Sequence, residues 1–396
     1  MNIILFEDHT RSALLPFTFT RPVAAIRFGI LTMGEKWEKH LGVKVSFLTQ
    51  DYLSEKFPLK TASDNLLING KVLPDKRLVD SIGKLKQGER LVNEGEVIAI
   101  RTANKELKNI SSVDNIPFSN TITYKPQVIK LLHLCDIFAK NGLAIRDDFT
   151  VLTAKKKSAK ISSTNHIINR KNVFAEQGVK MEACIINASE GPVYLGKNAE
   201  VMEGSIIRGP FALCHDSTVR LGTKIYGDTT IGPFSKVGGE ISNSVIFGYS
   251  NKAHDGFLGN SVIGEWCNLG AGTNNSNLKN NYSNVKLWDY ESEKFISTGL
   301  QFCGLMMGDH SKCSINSMFN TGTVSGINTN IFGTGFPPKF IASFSWGGAQ
   351  GFSTFRIEDA LEVARRVFER RKMKFSKTEE NILRHVFTIS TQHRAW

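Results

Sequence analysis

The sequence predicts an α/β domain, then a parallel β-helix, then C-terminal helices, and three observations carry that reading. Leu195, Val201, Ile207, Leu213, Val219, Ile225, Ile231 and Val237 recur at a constant spacing of six. Neither a helix, at about 3.6 residues per turn, nor an isolated strand, at about two, repeats that way. A parallel β-helix does, sending one aliphatic into its core from each short flat face. Second, a small residue follows six of these aliphatics by four positions: Ala199, Ser205, Ser217, Thr223, Thr229 and Ser235, with Phe211 and Ile241 the exceptions. These suit coil corners, where bulk clashes. Third, the period is missing from both flanks: the first alternates strand and helix patterns, and the last shows two helical ones.

Taken in order, residues 1–125 read as the α/β domain. Ile3 to Phe6 is a short buried strand, Leu31 to His40 a helix, Val43 to Leu48 a strand, and Leu66 to Ile68 a strand running into Asn69-Gly70. Pro126 opens a helical segment through Lys140, with Val128, Leu131, Leu132 and Ile137 at helical spacing, so residues 126–159 are expected to form a helical linker arm.

The solenoid is expected over 160–350. Val173, Val179 and Ile185 begin it, and a loop between Asn274 and Thr298 breaks it. Between Val237 and that loop the columns are interrupted and return, with Val245, Phe257, Ile263 and Leu269 in the six-residue phase and Ser261, Cys267 and Thr273 as small partners. Met307, Cys313, Phe319 and Ser325 continue it, with Ser311, Ser317, Thr323 and Thr329. Gly196, Gly232 and Gly238 follow aliphatics, where the chain must turn. Ser343 to Phe352 closes the last coil. Residues 351–396 form a helical cap: Ile357 to Lys374 carries Leu361, Ala364 and Phe368 on one face, and Ser376 with Glu379 signs the start of a last helix bearing Ile382, Leu383, Val386 and Phe387. The cap is expected to cover the solenoid end or a neighbouring subunit.

At 396 residues the chain holds two or three domains. Its opening shows no signal-peptide pattern and no apolar run reaches membrane-spanning length, so a cytoplasmic protein without a membrane partner is expected. The six cysteines are scattered, four of them (Cys184, Cys214, Cys267, Cys313) at apolar solenoid positions, as small hydrophobes in a reducing compartment. The net charge of +12 gathers in Lys155 to Lys157 and Arg365 to Lys374. No basic stripe with interleaved aromatics accompanies it, so nucleic acid is not the expected partner. Small anions such as phosphate, nucleotide or coenzyme A fit, and so do plain solvated faces. His215, His254 and His310 are too scattered for a zinc site, and no metal is expected in the solenoid.

The chemistry sits where the period breaks. Lys252-Ala-His-Asp-Gly-Phe-Leu-Gly259 is followed by Asn268-Leu-Gly-Ala-Gly-Thr273 and the polar loop Asn274 to Lys286. These residues resemble the hexapeptide acyltransferases, specifically the bifunctional glucosamine-1-phosphate acetyltransferase/N-acetylglucosamine-1-phosphate uridyltransferase (GlmU) type. Residues 299–304 and 308–313 resemble its Bacteroidetes-like branch. The resemblance implies a left-handed coil, against the usual right-handed crossover. It also implies acetyl-CoA as cosubstrate, and a homotrimer with the acyl site between solenoids.

In that family the residue matching His254 is the general base. The chemistry agrees: an amine attacking a thioester must shed a proton, and an imidazole with pKa near ~6.5 takes it at neutral pH. The same resemblance makes Asn268, Asn277 and Lys286 contacts of the sugar acceptor. Gly270, Ala271 and Gly272 become backbone donors toward the pantetheine arm and the oxyanion, and Asn316 and Thr323 lining of the coenzyme A groove. Phe257 stands for the family's usual Tyr. The family's phosphate-binding Arg and Lys are missing, leaving Lys236 and Lys252 as the nearest cations for the acceptor phosphate.

The first domain is similar to sugar-phosphate nucleotidyltransferases, but Thr10-Arg11, Leu15 to Thr18 and Arg21-Pro22 lack that family's glycines. Where the family has a metal-binding Asp, this chain has Asn69-Gly70-Lys71, and a cation there repels Mg²⁺. Lys71 either supplies the charge itself or marks an inactive domain. Asp8, Arg11, Arg21, Arg27 and Lys71 are the nucleotide-binding candidates, with UTP the nucleotide and Mg²⁺ its companion. The implied function is acetyl transfer to a sugar phosphate and then uridylyl transfer toward UDP-N-acetylglucosamine. The alternatives are an acyltransferase alone, acting on another amino sugar with a scaffold first domain, and a non-catalytic assembly module.

Overall fold

The apolar segment Asn2–Phe6 lies inside a six-stranded sheet because both its faces are covered. It pairs in parallel with Val45–Leu48 on one side and Asp64–Asn69 on the other. The order continues through Glu96–Ala103, Glu89–Asn93 and Asn120–Thr123. Helix α1 (Met33–Leu41) joins the first parallel pair. It is started by a capping box between Thr32 and Glu35 and stopped by Gly42 in the left-handed conformation. Helix α2 (Lys76–Gly83) is capped by Asp75. The chain leaves Asn2–Phe6 toward one edge of the sheet and leaves Asp64–Asn69 toward the other. The carboxyl ends of these two neighbours therefore flank a switch point, where open α/β sheets hold their ligands.

The computed structural model describes residues 2–103, 107 and 112–394. Met1, 104–106, 108–111, 395 and 396, which the expected first domain and C-terminal cap include, lie outside the described residues. The chain divides into two units. The first comprises residues 1–14, 20–26 and 31–133, the second residues 15–19, 27–30 and 134–396.

The helix expected from Pro126 to Lys140 is mostly absent. Residues 126–135 contain no helix, and Lys130 makes an isolated bridge with Val72. Helix begins only at α3 (Asp136–Ala139) and continues as α4 (Asn141–Thr153). Sheet-edge hydrogen bonding, with Leu73 N–H on the Ile129 carbonyl and Leu131 N–H on the Lys71 carbonyl, overrode the helical spacing. In α4, Asn141 is buried and donates to the Asp228 carbonyl, which fixes the helix to a coil corner.

The second unit is a parallel β-helix whose three faces are a nine-stranded sheet, a ten-stranded sheet, and a six-stranded sheet with a two-stranded sheet beside it. The sequence period maps onto it coil by coil. Leu195 lies over Leu213 and Ile231, Val201 over Val219 and Val237, and Ile207 over Ile225 and Ile241. All belong to one buried cluster. Each such side chain contributes roughly 1.5–3 kcal/mol by leaving water.

The phase departs from expectation at two places. In the opening coil the inward residues are Ala175, Met181 and Ile186, so Val179 is only partly buried and Ile185 is exposed. After Val237 the corners shorten, and Ile246 and Leu258, not Val245 and Phe257, enter the core. The glycines also have another cause. Gly196, Gly232 and Gly238 do not adopt left-handed backbone; that falls to Asn198, Asp216 and Phe234. A Cβ on Gly232 would run into the Phe247 carbonyl, and one on Gly238 would lie 2.7 Å from that of Ala253. Close approach of the next coil excludes a side chain there.

Between Asn275 and Cys303 the break holds an antiparallel hairpin, Lys286–Asp289 with Lys294–Ser297. A second hairpin, Ser345–Gly348 with Gly351–Thr354, closes the last coil. Helices α5 (Ile357–Arg370) and α6 (Lys377–Ile389) follow and bury the expected faces. Phe368 stacks on Trp266 at 4.0 Å, and Arg371 donates to the carbonyls of Phe234 and Tyr249, so part of the basic cluster serves to seat the cap on coil corners. No helix among the described residues is long and apolar enough to cross a membrane.

Candidate functional site

The corner between the second and third faces gathers the central candidates. His254-Asp255-Gly256 forms it in one coil, Gly270-Ala271-Gly272 in the next and Ser314-Ile315-Asn316 in the one after. Backbone bonds lock the stack: Gly272 N–H donates to the Asp255 carbonyl at 3.0 Å and Asn316 N–H to the Ala271 carbonyl at 2.7 Å. His254 is exposed, and its ring has no hydrogen-bond partner among the described residues. Further along, Ile315 and Phe332 are 67% and 39% exposed, an apolar ridge on the same corner.

Three backbone donors were expected here, and the structure leaves one. Gly270 N–H is taken by the Cys313 carbonyl and Gly272 N–H by Asp255. A Cβ on Gly270 would collide with the Ser314–Ile315 backbone. Both glycines are thus explained by coil stacking. Ala271 N–H makes no backbone bond and is free to meet a ligand.

On the third face beside the corner, the strand Phe257–Gly259 meets side chains where a backbone ladder would run. Phe257 N–H donates to Asn274 Oδ1 at 2.8 Å and Gly259 N–H to Asn275 Oδ1 at 2.9 Å, while Asn275 Nδ2 returns to the Gly259 carbonyl. Asn277 Nδ2 bonds Asn260 Oδ1 at 2.8 Å. The Phe257 ring and the Asn277 amide converge over Gly259, whose missing side chain leaves them room. Asn274 and Asn275 were not singled out from sequence; an Asn-rich run abutting a strand was the available signal.

Other candidates lie apart from the corner. Asn268 is exposed on the second face, in an outward column with Asn251, Lys312, Asn330 and Trp346. That column ends at a cavity of about 490 Å³ lined by Trp346, Phe355, Arg356 and Arg366. Lys286 sits in the hairpin with its backbone against Gly322, at the corner between the third and first faces. Thr323 is fully buried with its hydroxyl on the Asn320 carbonyl, so it cannot line a groove. Lys252 is 2% exposed and points into the coil, so it cannot hold an acceptor phosphate. The Lys156–Lys157 cluster lines a cavity of about 330 Å³ with Lys197 and Phe174.

In the first unit, Asp8 and Lys71 meet at the switch point. Lys71 Nζ lies 2.8 Å from Asp8 Oδ2 and 3.3 Å from Glu96 Oε1, with 1% of the lysine side chain exposed. Asn69 Nδ2 donates to Asp8 at 2.8 Å, and Thr10 bonds it as well. Burial alone would raise the Asp8 carboxyl, but the bonds from Lys71, Thr10 and Asn69 bring it down to about 2. Glu96 is also bound by Lys130. Glu7 is raised by burial despite Arg11 and a hydrogen bond from Thr49. Arg11 donates to the Tyr52 hydroxyl, and Arg21 is buried. Arg27 belongs to the second unit, donating to the carbonyls of Phe247 and Ile30, and is not part of this cluster. The donor set does not fit Mg²⁺, because an ammonium already sits between the two carboxylates. Among the described residues no group of three or more His, Cys, Asp or Glu could hold a metal ion.

Comparison with known proteins matches residues 3–157 to a family described as sugar nucleotidyl transferase. The chain is 30% identical over 145 residues to a bifunctional sugar-1-phosphate nucleotidylyltransferase/acetyltransferase of Sulfurisphaera tokodaii, covering 36% of each. It is 27% identical over 149 residues to the uncharacterized acetyltransferase YaiX of Escherichia coli, covering 37% of this chain and 64% of that one. It is 29% identical over 120 residues to the bifunctional protein GlmU of Methanocaldococcus jannaschii, covering 30% and 26%. The chain therefore matches less than two thirds of the length of each of these relatives. Among solved structures it is similar to an Arabidopsis UDP-N-acetylglucosamine acyltransferase, at 14% identity and a TM-score of 0.24, covering 54% of this chain and 80% of that one. The chain is similar to sugar nucleotidyltransferases over residues 3–157, and to proteins named as acetyltransferases.

Proposed function

We propose that the solenoid transfers an acetyl group from acetyl-CoA to the amine of a sugar phosphate, glucosamine 1-phosphate by the GlmU resemblance, with His254 as general base. The observation that carries this is the corner itself: an exposed, unbonded imidazole stacked one coil from an uncommitted Ala271 N–H, on backbone fixed by bonds between coils. The amine nitrogen attacks the thioester carbonyl and loses its proton to His254. The negative charge developing on the carbonyl oxygen meets the Ala271 N–H. As the tetrahedral intermediate collapses, the carbon–sulfur bond breaks and the imidazolium returns the proton to the thiolate. Phe257 and Asn277, side by side over Gly259, suit the sugar. The Ile315–Phe332 ridge suits the pantetheine arm, and the cavity with Trp346, Arg356 and Arg366 suits the nucleotide end of coenzyme A, its indole for the base and its guanidinium groups for phosphate.

A homotrimer completes the groove in this reading. Its support is an apolar outer third face, with Ile168, Ile185, Ile206 and Tyr226 all exposed; a monomeric mass in solution contradicts it. A cytoplasmic location goes with the same reading. For the first unit, the Lys71 ion pairs favour a scaffold over metal-dependent uridylyl transfer. The test is one mixture of acetyl-CoA, glucosamine 1-phosphate, UTP and Mg²⁺. Free thiol should appear in step with N-acetyl product while no pyrophosphate is released. No thiol contradicts the acetyl transfer, and pyrophosphate contradicts the scaffold.

A further inference from the structure

Lys252 occupies a place that the coil gives to aliphatics. Its Cα pairs with Val237 of the preceding coil, and the core residues Ile246 and Leu258 stand six positions before and after it. An ammonium in such a column costs several kcal/mol unless its donors are met. Two are met: Nζ donates to the Gly238 carbonyl at 2.9 Å and to the His254 carbonyl at 2.7 Å. Both acceptors lie at the same corner of successive coils. From inside, the lysine ties the corner that carries His254 to the coil before it.

An apolar side chain of similar volume would fill this column without the cost of burying a charge, as the aliphatics before and after it do. Packing therefore does not explain a lysine here. What an apolar residue cannot do is hold a carbonyl. We propose that Lys252 is a positioning residue for His254, gripping that residue's carbonyl from within the coil so that the imidazole projects from a fixed backbone, without touching substrate. This rests on the reading of His254 as general base. The groups that act on the ammonium are Asp255, which favours its charge, and Cys313, whose own thiol is raised by burial. Burial of the lysine outweighs both and brings it down to about 8.

Lys252→Met separates positioning from folding. Its thermal midpoint should fall by no more than a few degrees, as two carbonyls lose a donor, with KM for both substrates within about twofold and kcat at least ~10-fold lower, as a loosened base is misplaced. Lys252→Gln, which keeps a donor, should recover part of kcat. His254→Ala is measured alongside. Unchanged kcat in folded Lys252→Met, with His254→Ala inactive, overturns the positioning role alone; unchanged kcat in His254→Ala overturns both readings. Should Lys252→Met not fold, Lys252→Leu is measured in its place: lowered kcat with KM unchanged supports the proposal, and unchanged kcat overturns it.

Discussion

At the ends of the strands Asn2–Phe6 and Asp64–Asn69, charge is answered within the same unit: Asp8 by Lys71 and Asn69, Glu96 by Lys71 and Lys130. At the His254 corner the polar groups are held in place but left open. The imidazole is exposed without a partner among the described residues, and Ala271 N–H makes no backbone bond. A group already paired must break that pairing before it can meet a ligand, and a buried ion pair gives up its partner at several kcal/mol. An open group on rigid backbone can meet one without reorganising. This comparison supports the proposal that chemistry takes place at the corner while the strand-end cluster holds its unit together.

The comparison can be broken first at Lys71. Lys71→Met takes a buried ammonium away from two carboxylates, leaving Asp8 to Asn69 and Thr10 and Glu96 to Lys130, so the first unit should lose about 3 kcal/mol in denaturant unfolding. If the ammonium stands where a cation would go, the variant should also take up Mn²⁺ measurably in calorimetry where the unsubstituted chain takes up none. Unchanged stability would show the pair to be dispensable.

A smaller effect tests the same pairing by pH. The Asp8 carboxyl is held at about 2 in the fold against an ordinary 3.8. Because its folded value is depressed, its contribution is fully present above the ordinary value and is lost as pH falls from there through about 2, amounting to about 2 kcal/mol. Acid unfolding of Asp8→Asn should lack this component. A curve parallel to that of the unsubstituted chain contradicts the assignment.

The open side is sharpened at Asn275, a buried residue that bonds Gly259 through both amide atoms. Asn275→Ala should cost about 1–2 kcal/mol and lower kcat/KM for the acceptor, since Gly259 carries the floor beneath Phe257 and Asn277. An acceptor KM identical to that of the unsubstituted chain would separate that floor from binding.

The solenoid was legible because its physics is periodic. Eight aliphatics at one spacing specify an interior wherever each coil can cover its face only with its neighbours. Legibility failed where the period changed length. Shortened corners after Val237 moved the inward position from Val245 to Ile246, and with it Lys252 from a surface cation to an interior one. The same slip hid the role of Asn275, whose side chain takes over a backbone ladder. The segment after Pro126 misled because helical spacing of apolar residues says nothing of a distant extended segment that pairs with it, here the bridge to Val72 and the backbone bonds to Lys71 and Leu73. A cation at Lys71 was visible, but its carboxylate partners, Asp8 and Glu96, are brought to it only by the sheet. His254 is singled out by its local motif, but the motif does not show that the coil leaves its imidazole exposed and, among the described residues, unbonded.

The most direct measurement is the rate of acetyl transfer by His254→Ala, followed as free thiol released from acetyl-CoA with glucosamine 1-phosphate as acceptor. The account predicts a correctly folded protein of unchanged mass whose kcat falls by at least ~10². A folded His254→Ala protein that releases thiol at the unsubstituted rate would contradict it.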